Sequence, residues 1–329
     1  MIVLYSSLLS ILLLAVVFFV NRYVRRRTVY PADKSVFITG CDRGFGETLA
    51  TKLAFTGYRV FAGCLDVTSD GGSRLTKISN VTVVQCDVTA DASVDAVKRL
   101  LNYRLQDQGL WALVNNAGVA VFAETEWCSM SAYEKVLGVN LMGTIRVTKA
   151  CLPLVRSAKG RVVNISSLAG RFALPGFTAY SASKFGIIGF SDSLRREMKK
   201  FDVKVICIEP KLYRTAIADG DFHVKTNHQM WAETDDITKV DYGDTYFRAF
   251  LETMLRNLRY SSRKTYEVMD DLLHAVTSVY PYTRYVPSLK VQLITDAFLL
   301  NCNFIQDRGI MSSTGVRCVP FSMRKKKTA

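Results

Sequence analysis

Short apolar runs alternate with amphipathic stretches from residue 35 onwards. Six runs are apolar enough for buried strands, at 35–39, 59–64, 81–86, 112–115, 161–165 and 203–209. Helical periodicity fills the intervals between them, at 47–55, 93–105, 133–155 and 182–200. This alternation predicts one α/β domain over residues 35–288, built on a Rossmann-type, doubly wound parallel sheet.

Gly40, Asn116 and Ser166 directly follow three of these strands. Right-handed crossovers place the carboxyl ends of parallel strands at one edge of the sheet. We therefore expect residues 40–46, Asn116, Ser167 and Tyr180 to meet at that edge. Residues 211–262 are less regular and richer in polar and aromatic residues, and we expect them to form the substrate-binding region.

Three glycines lie where the first strand runs into the first helix. Gly40, Gly44 and Gly46 do not have the G-x-G-x-x-G spacing. They still allow a tight turn and a close backbone approach, and the helix N-terminus behind them offers free N–H groups. Such a turn is typical of a site for a pyrophosphate.

Tyr180 and Lys184 are four residues apart, so on a helix both side chains project from one face. A cation close to a phenol favours the phenolate and lowers the phenol pKa. The hydroxyl of Ser167 could position a substrate oxygen beside this pair, with Ser166 as the alternative.

Four motifs occur in a fixed order: T-G-x-x-x-G-x-G from Thr39, N-N-A-G from Asn115, the Ser166-Ser167 pair and Y-x-x-x-K from Tyr180. Together they resemble the short-chain dehydrogenase/reductase superfamily over residues 35–215. Further residues around and beyond these motifs, including Pro281-Tyr-Thr-Arg-Tyr285, resemble one branch of this superfamily. That branch holds membrane-bound retinol dehydrogenases, oxidative hydroxysteroid dehydrogenases and 3-hydroxybutyrate dehydrogenase.

The resemblance implies a catalytic tetrad of Asn140, Ser167, Tyr180 and Lys184. In this family Tyr180 would be the general acid/base, and Lys184 would lower its pKa and bind the nicotinamide ribose. Ser167 would hold the substrate oxygen, and Asn140 would support a proton-relay water. The implied cofactor-binding residues are Thr39, Gly40, Arg43, Gly44, Phe45, Gly46, Asp66, Asp87, Val88, Asn116, Ala117, Gly118, Tyr180, Lys184 and Thr215.

The cofactor preference depends on the end of the second strand. Cys64 occupies the family position for an acid that binds the adenosine ribose, and Asp66 follows two residues later. Asp66 favours NAD, whereas Arg43 could pair with the 2′-phosphate of NADP. We expect NAD rather than NADP. Lys211 replaces a family glycine beside the nicotinamide site, which predicts altered local geometry rather than a dead enzyme.

The N-terminus predicts a membrane anchor. Residues 1–20 carry no charge and are long enough to span a bilayer. Arginines follow in the basic linker 21–34, where a signal peptide would have the small residues of a cleavage site. The positive-inside rule then leaves the catalytic domain in the cytosol. Eight cysteines without paired spacing agree with a reducing compartment.

The extension 289–329 adds two further signals. Its apolar stretch 289–301 is too short to span a bilayer and could rest on the membrane surface. The final residues, Lys326-Lys-Thr-Ala329, resemble a dilysine retrieval signal, although a solvated basic tail explains them as well. We expect a single-pass protein of the endoplasmic reticulum membrane.

The distribution of charge also indicates contact with membrane lipid. The net charge is +14, from 43 basic and 29 acidic residues, and eight of the positive charges lie in the two terminal clusters. That placement suits anionic lipid headgroups rather than nucleic acid. The three histidines, His223, His228 and His274, have no metal-ligand spacing, so we expect no metal. Oligomeric state, including a homo-oligomer, is left open.

The expected function is NAD-dependent oxidation and reduction of a lipophilic alcohol, a retinol or a hydroxysteroid. A membrane anchor beside a hydride-transfer domain suits a substrate that partitions into lipid. Two alternatives stay open: a dehydrogenase for a small hydroxy acid such as 3-hydroxybutyrate, and a cofactor-binding membrane protein with impaired catalysis, for which Lys211 is the only support.

Overall fold

A computed structural model describes Val16, Val20 and residues 23–325 of the chain. The predicted anchor, apart from Val16 and Val20, and the last four residues lie outside the described residues. Within the part that is described, no helix combines the length and the apolar character needed to cross a membrane.

Seven parallel strands form one sheet in the order β3-β2-β1-β4-β5-β6-β7. The strands are β1 Ser35–Thr39, β2 Arg59–Cys64, β3 Val81–Gln85, β4 Ala112–Asn115, β5 Arg161–Ile165, β6 Lys204–Ile208 and β7 Arg284–Tyr285. The Rossmann-type sheet is thus confirmed. The order reverses between β1 and β4, and ligands of such sheets bind in the crevice at that point.

Thirteen α-helices connect or extend these strands within residues 23–325. They are α1 Gly44–Phe55, α2 Asp70–Leu75, α3 Asp91–Leu105, α4 Met130–Leu137, α5 Thr144–Ser157, α6 Thr178–Met198, α7 Gly220–Glu233, α8 Asp236–Tyr242, α9 Asp244–Arg259, α10 Thr265–Thr277, α11 Leu289–Leu299, α12 Asn303–Thr314 and α13 Phe321–Lys325. The short helix α2 was not predicted from the sequence.

The core lies on both faces of the sheet, because parallel strands are buried on both sides. One apolar cluster joins the sheet to α1 and α10, through residues such as Leu53 and Leu272. The other joins it to α3, α5 and α6, through residues such as Leu101, Val155 and Leu194. All five residues of β1 are buried, which is why its sequence is almost continuously apolar.

The predicted helix 133–155 is interrupted. A π-helical turn, Gly138–Gly143, separates α4 from α5. The turn contains Asn140, which is fully buried, and the hydroxyl of Thr144 donates to the Asn140 carbonyl over 2.7 Å. Such single π turns are frequent at functional sites.

Residues 211–262 are more regular than their composition predicts. Three helices, α7, α8 and α9, occupy most of this region. The aromatic residues that obscure the pattern lie on the buried side of α9, where Tyr246, Phe247 and Phe250 recur at helical spacing. His223 and His228 lie within α7.

The predicted basic linker is held against the domain from Arg25 onwards. The N–H of Val29 donates to the Thr277 carbonyl over 2.8 Å, and the N–H of Val279 donates to the Arg27 carbonyl over 2.8 Å. His274 Nε2 contacts the Arg25 carbonyl at 2.9 Å. The segment before the sheet is therefore packed on the end of α10.

Candidate active site

Thr39 and Asn116 join the ends of β1 and β4, where the strand order reverses. The Thr39 hydroxyl accepts from the N–H groups of Asn116 at 3.1 Å and Ala117 at 3.0 Å. The Asn116 side-chain amide donates to the carbonyls of Thr39 at 2.8 Å and Gly40 at 2.9 Å. These four bonds hold the two loops close together, so both residues brace the site.

The glycine turn is packed too tightly for side chains. A Cβ on Gly40 would lie 2.8 Å from Ala117 Cα, and one on Gly46 would lie 2.3 Å from the Gly40 carbonyl oxygen. Gly44, by contrast, has a φ of +69° and no neighbour within 4 Å of a built Cβ. No side chain caps the start of α1 at Arg43, which leaves its first N–H groups without a side-chain acceptor. This arrangement fits a dinucleotide pyrophosphate.

An acidic residue that the sequence analysis missed lies beside this turn. The Asp42 carboxylate accepts from the N–H groups of Leu65 at 3.1 Å and Asp66 at 2.8 Å. Asp66 itself is exposed and accepts from the N–H and hydroxyl of Thr68, which lowers its pKa. Two carboxylates therefore lie where β2 ends, and only a contact between distant loops reveals the first.

The remaining predicted cofactor residues lie along the same edge or on the segment after β6. Asp87 accepts from the N–H and hydroxyl of Thr89 and closes the turn after β3. Val88 is buried there. Phe45 packs edge-on against Tyr213, with ring centroids 6.2 Å apart. Thr215 is half-buried and precedes the 3-10 turn Ala216–Ala218.

Tyr180, Lys184 and Ser167 come together as predicted from their positions. Tyr180 lies in the first turn of α6, and the Ser167 side chain is close enough to its hydroxyl to lower the phenol pKa. Lys184 Nζ lies 5.5 Å from the Tyr180 ring centroid and donates to the Ile165 carbonyl over 2.9 Å. The end of β5 thus holds the ammonium group beside the phenol.

The structure distinguishes the two adjacent serines. Ser166 is buried, and its hydroxyl donates to the main-chain carbonyl of Lys184 over 2.9 Å. Ser167 is half-buried; its hydroxyl donates to the Pro210 carbonyl over 3.2 Å and accepts from the Ala169 N–H over 3.1 Å. Of the two, Ser167 is the one in contact with Tyr180.

Asn140 reaches the site from the π turn. Its side chain accepts from the Val119 N–H at 2.8 Å and donates to the Val119 carbonyl at 2.9 Å and to Ser183 at 3.0 Å. A Cβ built on Gly118 would lie 3.4 Å from Asn140 Oδ1 and 3.8 Å from Lys184 Nζ. Asn140 therefore anchors the loop after β4 beside the lysine, and the proton-relay water stays a prediction.

Burial governs the pKa values of the central pair. Burial raises the pKa of Tyr180 to about 12, and the Ser167 side chain offsets only part of that rise. Burial also lowers the pKa of Lys184 to about 8. The expected acidification of the phenol is therefore wrong for this packing, because desolvation disfavours both charged forms.

An aromatic cluster that the motifs did not reveal packs on Tyr180. Phe122 lies edge-on to the Tyr180 ring at 5.9 Å and stacks on Phe177 at 4.1 Å. The His223 ring packs on Phe122, with ring centroids 4.4 Å apart, and His223 Nε2 contacts the Ile217 carbonyl at 2.8 Å. The cluster continues through Trp127, Trp231, Phe247 and Phe250.

Lys211 does not disturb this centre. Its Nζ lies 3.8 Å from a carboxylate oxygen of Glu267 on α10 and 5.5 Å from the Tyr213 ring centroid. The preceding carbonyl, that of Pro210, still accepts the Ser167 hydroxyl. The lysine therefore forms a peripheral ion pair, and the loop it belongs to still supports the serine.

A glycine turn at a strand-order reversal, next to a tyrosine, a serine and a lysine, defines a dinucleotide-binding oxidoreductase of the α/β class. The family model described as short chain dehydrogenase matches residues 34–225. The chain belongs to the short-chain dehydrogenase family, as its motifs predicted, and is an oxidoreductase that uses a nicotinamide dinucleotide.

Curated relatives cover most of the chain. It is 43% identical over 273 residues to 17-beta-hydroxysteroid dehydrogenase type 6 from Bos taurus, covering 82% of this chain and 85% of the relative. It is 42% identical over 291 residues to mitochondrial D-beta-hydroxybutyrate dehydrogenase from Bos taurus, covering 84% and 85%. These relatives confirm the predicted branch.

A solved structure shares the fold. The short chain dehydrogenase from Burkholderia cenocepacia, crystallised in complex with NADP, superposes with a TM-score of 0.62. The match has 22% sequence identity and covers 84% of this chain and 96% of that chain.

Proposed function

We propose that this protein catalyses the reversible, NAD-dependent oxidation of a lipophilic alcohol, a retinol or a hydroxysteroid, with Tyr180 as general acid/base. The observation that carries this proposal is the placement of Tyr180 beside Ser167 and Lys184, between the strand edge with the glycine turn and the aromatic cluster. One curated relative is named as a hydroxysteroid dehydrogenase, which is consistent with that choice.

The bound dinucleotide would supply a nicotinamide ring that exchanges hydride with the carbinol carbon. The Ser167 hydroxyl and the Tyr180 oxygen hold the alcohol oxygen, and the phenolate form of Tyr180 takes the alcohol proton and becomes a neutral phenol as the hydride leaves. Lys184 keeps its proton below about pH 8, so its charge stabilises the Tyr180 phenolate that accepts this proton. In the reverse direction Tyr180 donates the proton to the carbonyl oxygen.

The packing beside Tyr180 favours a lipophilic substrate. Two aromatic side chains, Phe122 and Phe177, pack edge-on against the Tyr180 ring. A small hydroxy acid would need a cation for its carboxylate. Among the described residues, the buried cations are Lys184, already bonded to the Ile165 carbonyl, and Arg161, at the opposite end of β5.

A hydroxy acid is the second candidate because the D-beta-hydroxybutyrate dehydrogenase relative is nearly as similar as the steroid one. The third reading, a cofactor-binding protein with impaired catalysis, rests on Lys211 alone. Its pairing with Glu267 weakens that reading, since the lysine charge is accounted for on α10.

The preference for NAD is supported by charge. Asp42 and Asp66 place two carboxylates at the end of β2, where an adenosine ribose would lie in this fold. Their charge opposes a 2′-phosphate, whereas Arg43, the only residue of this loop that would attract one, is exposed to solvent.

We propose further that the protein is anchored in the endoplasmic reticulum membrane through residues 1–20, with its domain in the cytosol. Apolar side chains on the C-terminal helices support contact with lipid. Leu289 and Leu293 on α11 are 65% and 61% exposed, and Phe304 on α12 is 71% exposed. Extraction of membranes with alkali tests the anchor: the full chain should stay in the pellet, and release into the supernatant would refute it.

The substrate is tested with purified membranes that contain the full chain. Retinol, 3- and 17-hydroxysteroids and 3-hydroxybutyrate are each supplied with NAD or NADP, and the reduced nicotinamide is followed. We expect turnover with a lipophilic alcohol and NAD. Turnover with 3-hydroxybutyrate alone would establish the second candidate, and none with any alcohol would favour the third.

A further inference from the structure

Glu209 carries a fully buried carboxylate immediately after β6. Its two oxygens bind different arginines. Oε2 accepts from Arg171 Nε at 2.9 Å, and Oε1 accepts from Arg284 Nη1. A buried charge with good hydrogen-bonding geometry on both oxygens is held in one position, and removal of a partner is costly.

The two arginines belong to different parts of the site. Arg171 directly follows the 3-10 turn Leu168–Gly170 that Ser167 begins. Arg284 lies on β7, and its Nη2 donates to both oxygens of Asp192 on α6, at 3.3 and 3.2 Å. The serine turn, the edge strand and the helix of Tyr180 are thus joined by Glu209, Asp192 and the two arginines, and Arg195 also donates to Asp192 over 3.4 Å.

The residue after Glu209 completes this connection. The carbonyl of Pro210 accepts the Ser167 hydroxyl at 3.2 Å and the Leu168 N–H at 3.0 Å. Displacement of Glu209 would therefore move an acceptor of the Ser167 hydroxyl as well as the arginine behind its turn. Both ends of the serine turn depend on the same carboxylate.

We propose that Glu209 is a positioning residue, which through Arg171 and Arg284 sets the Ser167 hydroxyl against the Tyr180 hydroxyl. This inference rests on the proposed function of that pair. Arg171 connects Glu209 to the serine turn, and Arg284 connects it to β7 and to the helix of Tyr180. The Pro281-Tyr-Thr-Arg-Tyr285 motif, whose chemistry the catalytic reading leaves unused, supplies the second arginine.

The first test separates positioning from general loss of an ion pair. Glu209→Gln and Arg171→Gln should each lower kcat at least about tenfold, since small displacements of reacting groups are costly, and leave the KM for the dinucleotide unchanged. Arg74→Gln removes an exposed ion pair with Glu47 and should leave kcat unchanged. Should Glu209→Gln fail to fold, Arg171→Gln still decides, because the Arg171 side chain is 29% exposed.

A double-mutant cycle shows whether Arg171 acts through the serine. In a Ser167→Ala background, Arg171→Gln should cause no further loss of kcat, because the group that it positions is already absent. Losses that multiply across the two substitutions, or an Arg171→Gln enzyme with the kcat of the wild type, would overturn the inference. Arg171→Lys should restore part of the activity.

A second readout needs no turnover. With ¹³C-labelled tyrosine, the resonance of Tyr180 is assigned by its loss in Tyr180→Phe. Arg171→Gln should shift this resonance towards its position in Ser167→Ala, and Arg74→Gln should not. An unshifted resonance refutes positioning even in an active enzyme. A protein that oxidises no alcohol but shows the shift refutes the proposed function and retains the positioning.

Discussion

Replacement of Lys184 by methionine should make the protein more stable near neutral pH while it abolishes turnover. Lys184 is 4% exposed, and burial lowers its pKa from the usual 10.5 to about 8. The buried charge therefore destabilises the folded chain relative to the unfolded chain, in which water solvates the ammonium group. Methionine has a similar length and removes that charge.

The magnitude follows from the pKa. A drop from 10.5 to about 8 corresponds to about 3 kcal/mol against the buried ammonium. The methionine variant also loses the hydrogen bond from Nζ to the Ile165 carbonyl, which is worth about 1 kcal/mol. The expected net gain is about 2 kcal/mol near neutral pH, or roughly 3 °C in Tm for a chain of this size.

The same pKa values determine how the stability difference between the variant and the wild type changes with pH. Between about pH 8 and 10.5 the unfolded chain holds a proton on Lys184 that the folded chain has released. Wild-type stability therefore rises relative to the variant over this range, and the advantage of Lys184→Met should vanish. Tyr180, with its pKa raised to about 12, titrates above this range in the wild type.

Thermal unfolding of the full chain, measured from neutral to alkaline pH, provides the assay. Lys149→Met, which changes an exposed lysine on α5, is the control and should show no pH-dependent difference from the wild type. A Lys184→Met variant that is less stable than the wild type at neutral pH, or a difference that does not change with pH, would refute this reasoning.

Three further outcomes are expected. Gly46→Ala places a Cβ 2.3 Å from the Gly40 carbonyl and should weaken dinucleotide binding at least about tenfold in a fluorescence titration, whereas Gly189→Ala, with nothing within 4 Å, should leave binding unchanged. Asp42→Asn should raise kcat/KM with NADP relative to NAD in steady-state assays; an unchanged ratio would exclude Asp42 from cofactor selection. Lys211→Gly removes a half-exposed ion pair worth no more than about 1 kcal/mol, so kcat should stay within about twofold.

The sheet and the meeting point of the site were predictable because they depend on local patterns. Continuous apolar runs identify parallel strands, and the topology then collects Asn116, Ser167 and the glycines at one edge. The spacing of Tyr180 and Lys184 was sufficient to place both beside the serine, since a helix aligns residues four apart.

Features that depend on distant contacts were not predictable. Asp42 acts on Leu65 and Asp66 through a contact between two loops, which no local spacing reports. The pKa of Tyr180 is raised rather than lowered because burial, a property of the whole fold, outweighs the lowering effect of Ser167. The helices of residues 211–262 were hidden because their buried face is made of aromatic residues.

The central claim is that Tyr180 moves the proton while a hydride passes to the nicotinamide. The most direct measurement uses an alcohol deuterated at its carbinol carbon, in a single turnover with bound NAD. Wild type and Tyr58→Phe, which removes a buried phenol hydroxyl outside the site, should transfer deuterium to C4 of the nicotinamide. Tyr180→Phe should bind NAD equally well and transfer deuterium at least about 10²-fold more slowly; transfer at the wild-type rate would contradict the claim.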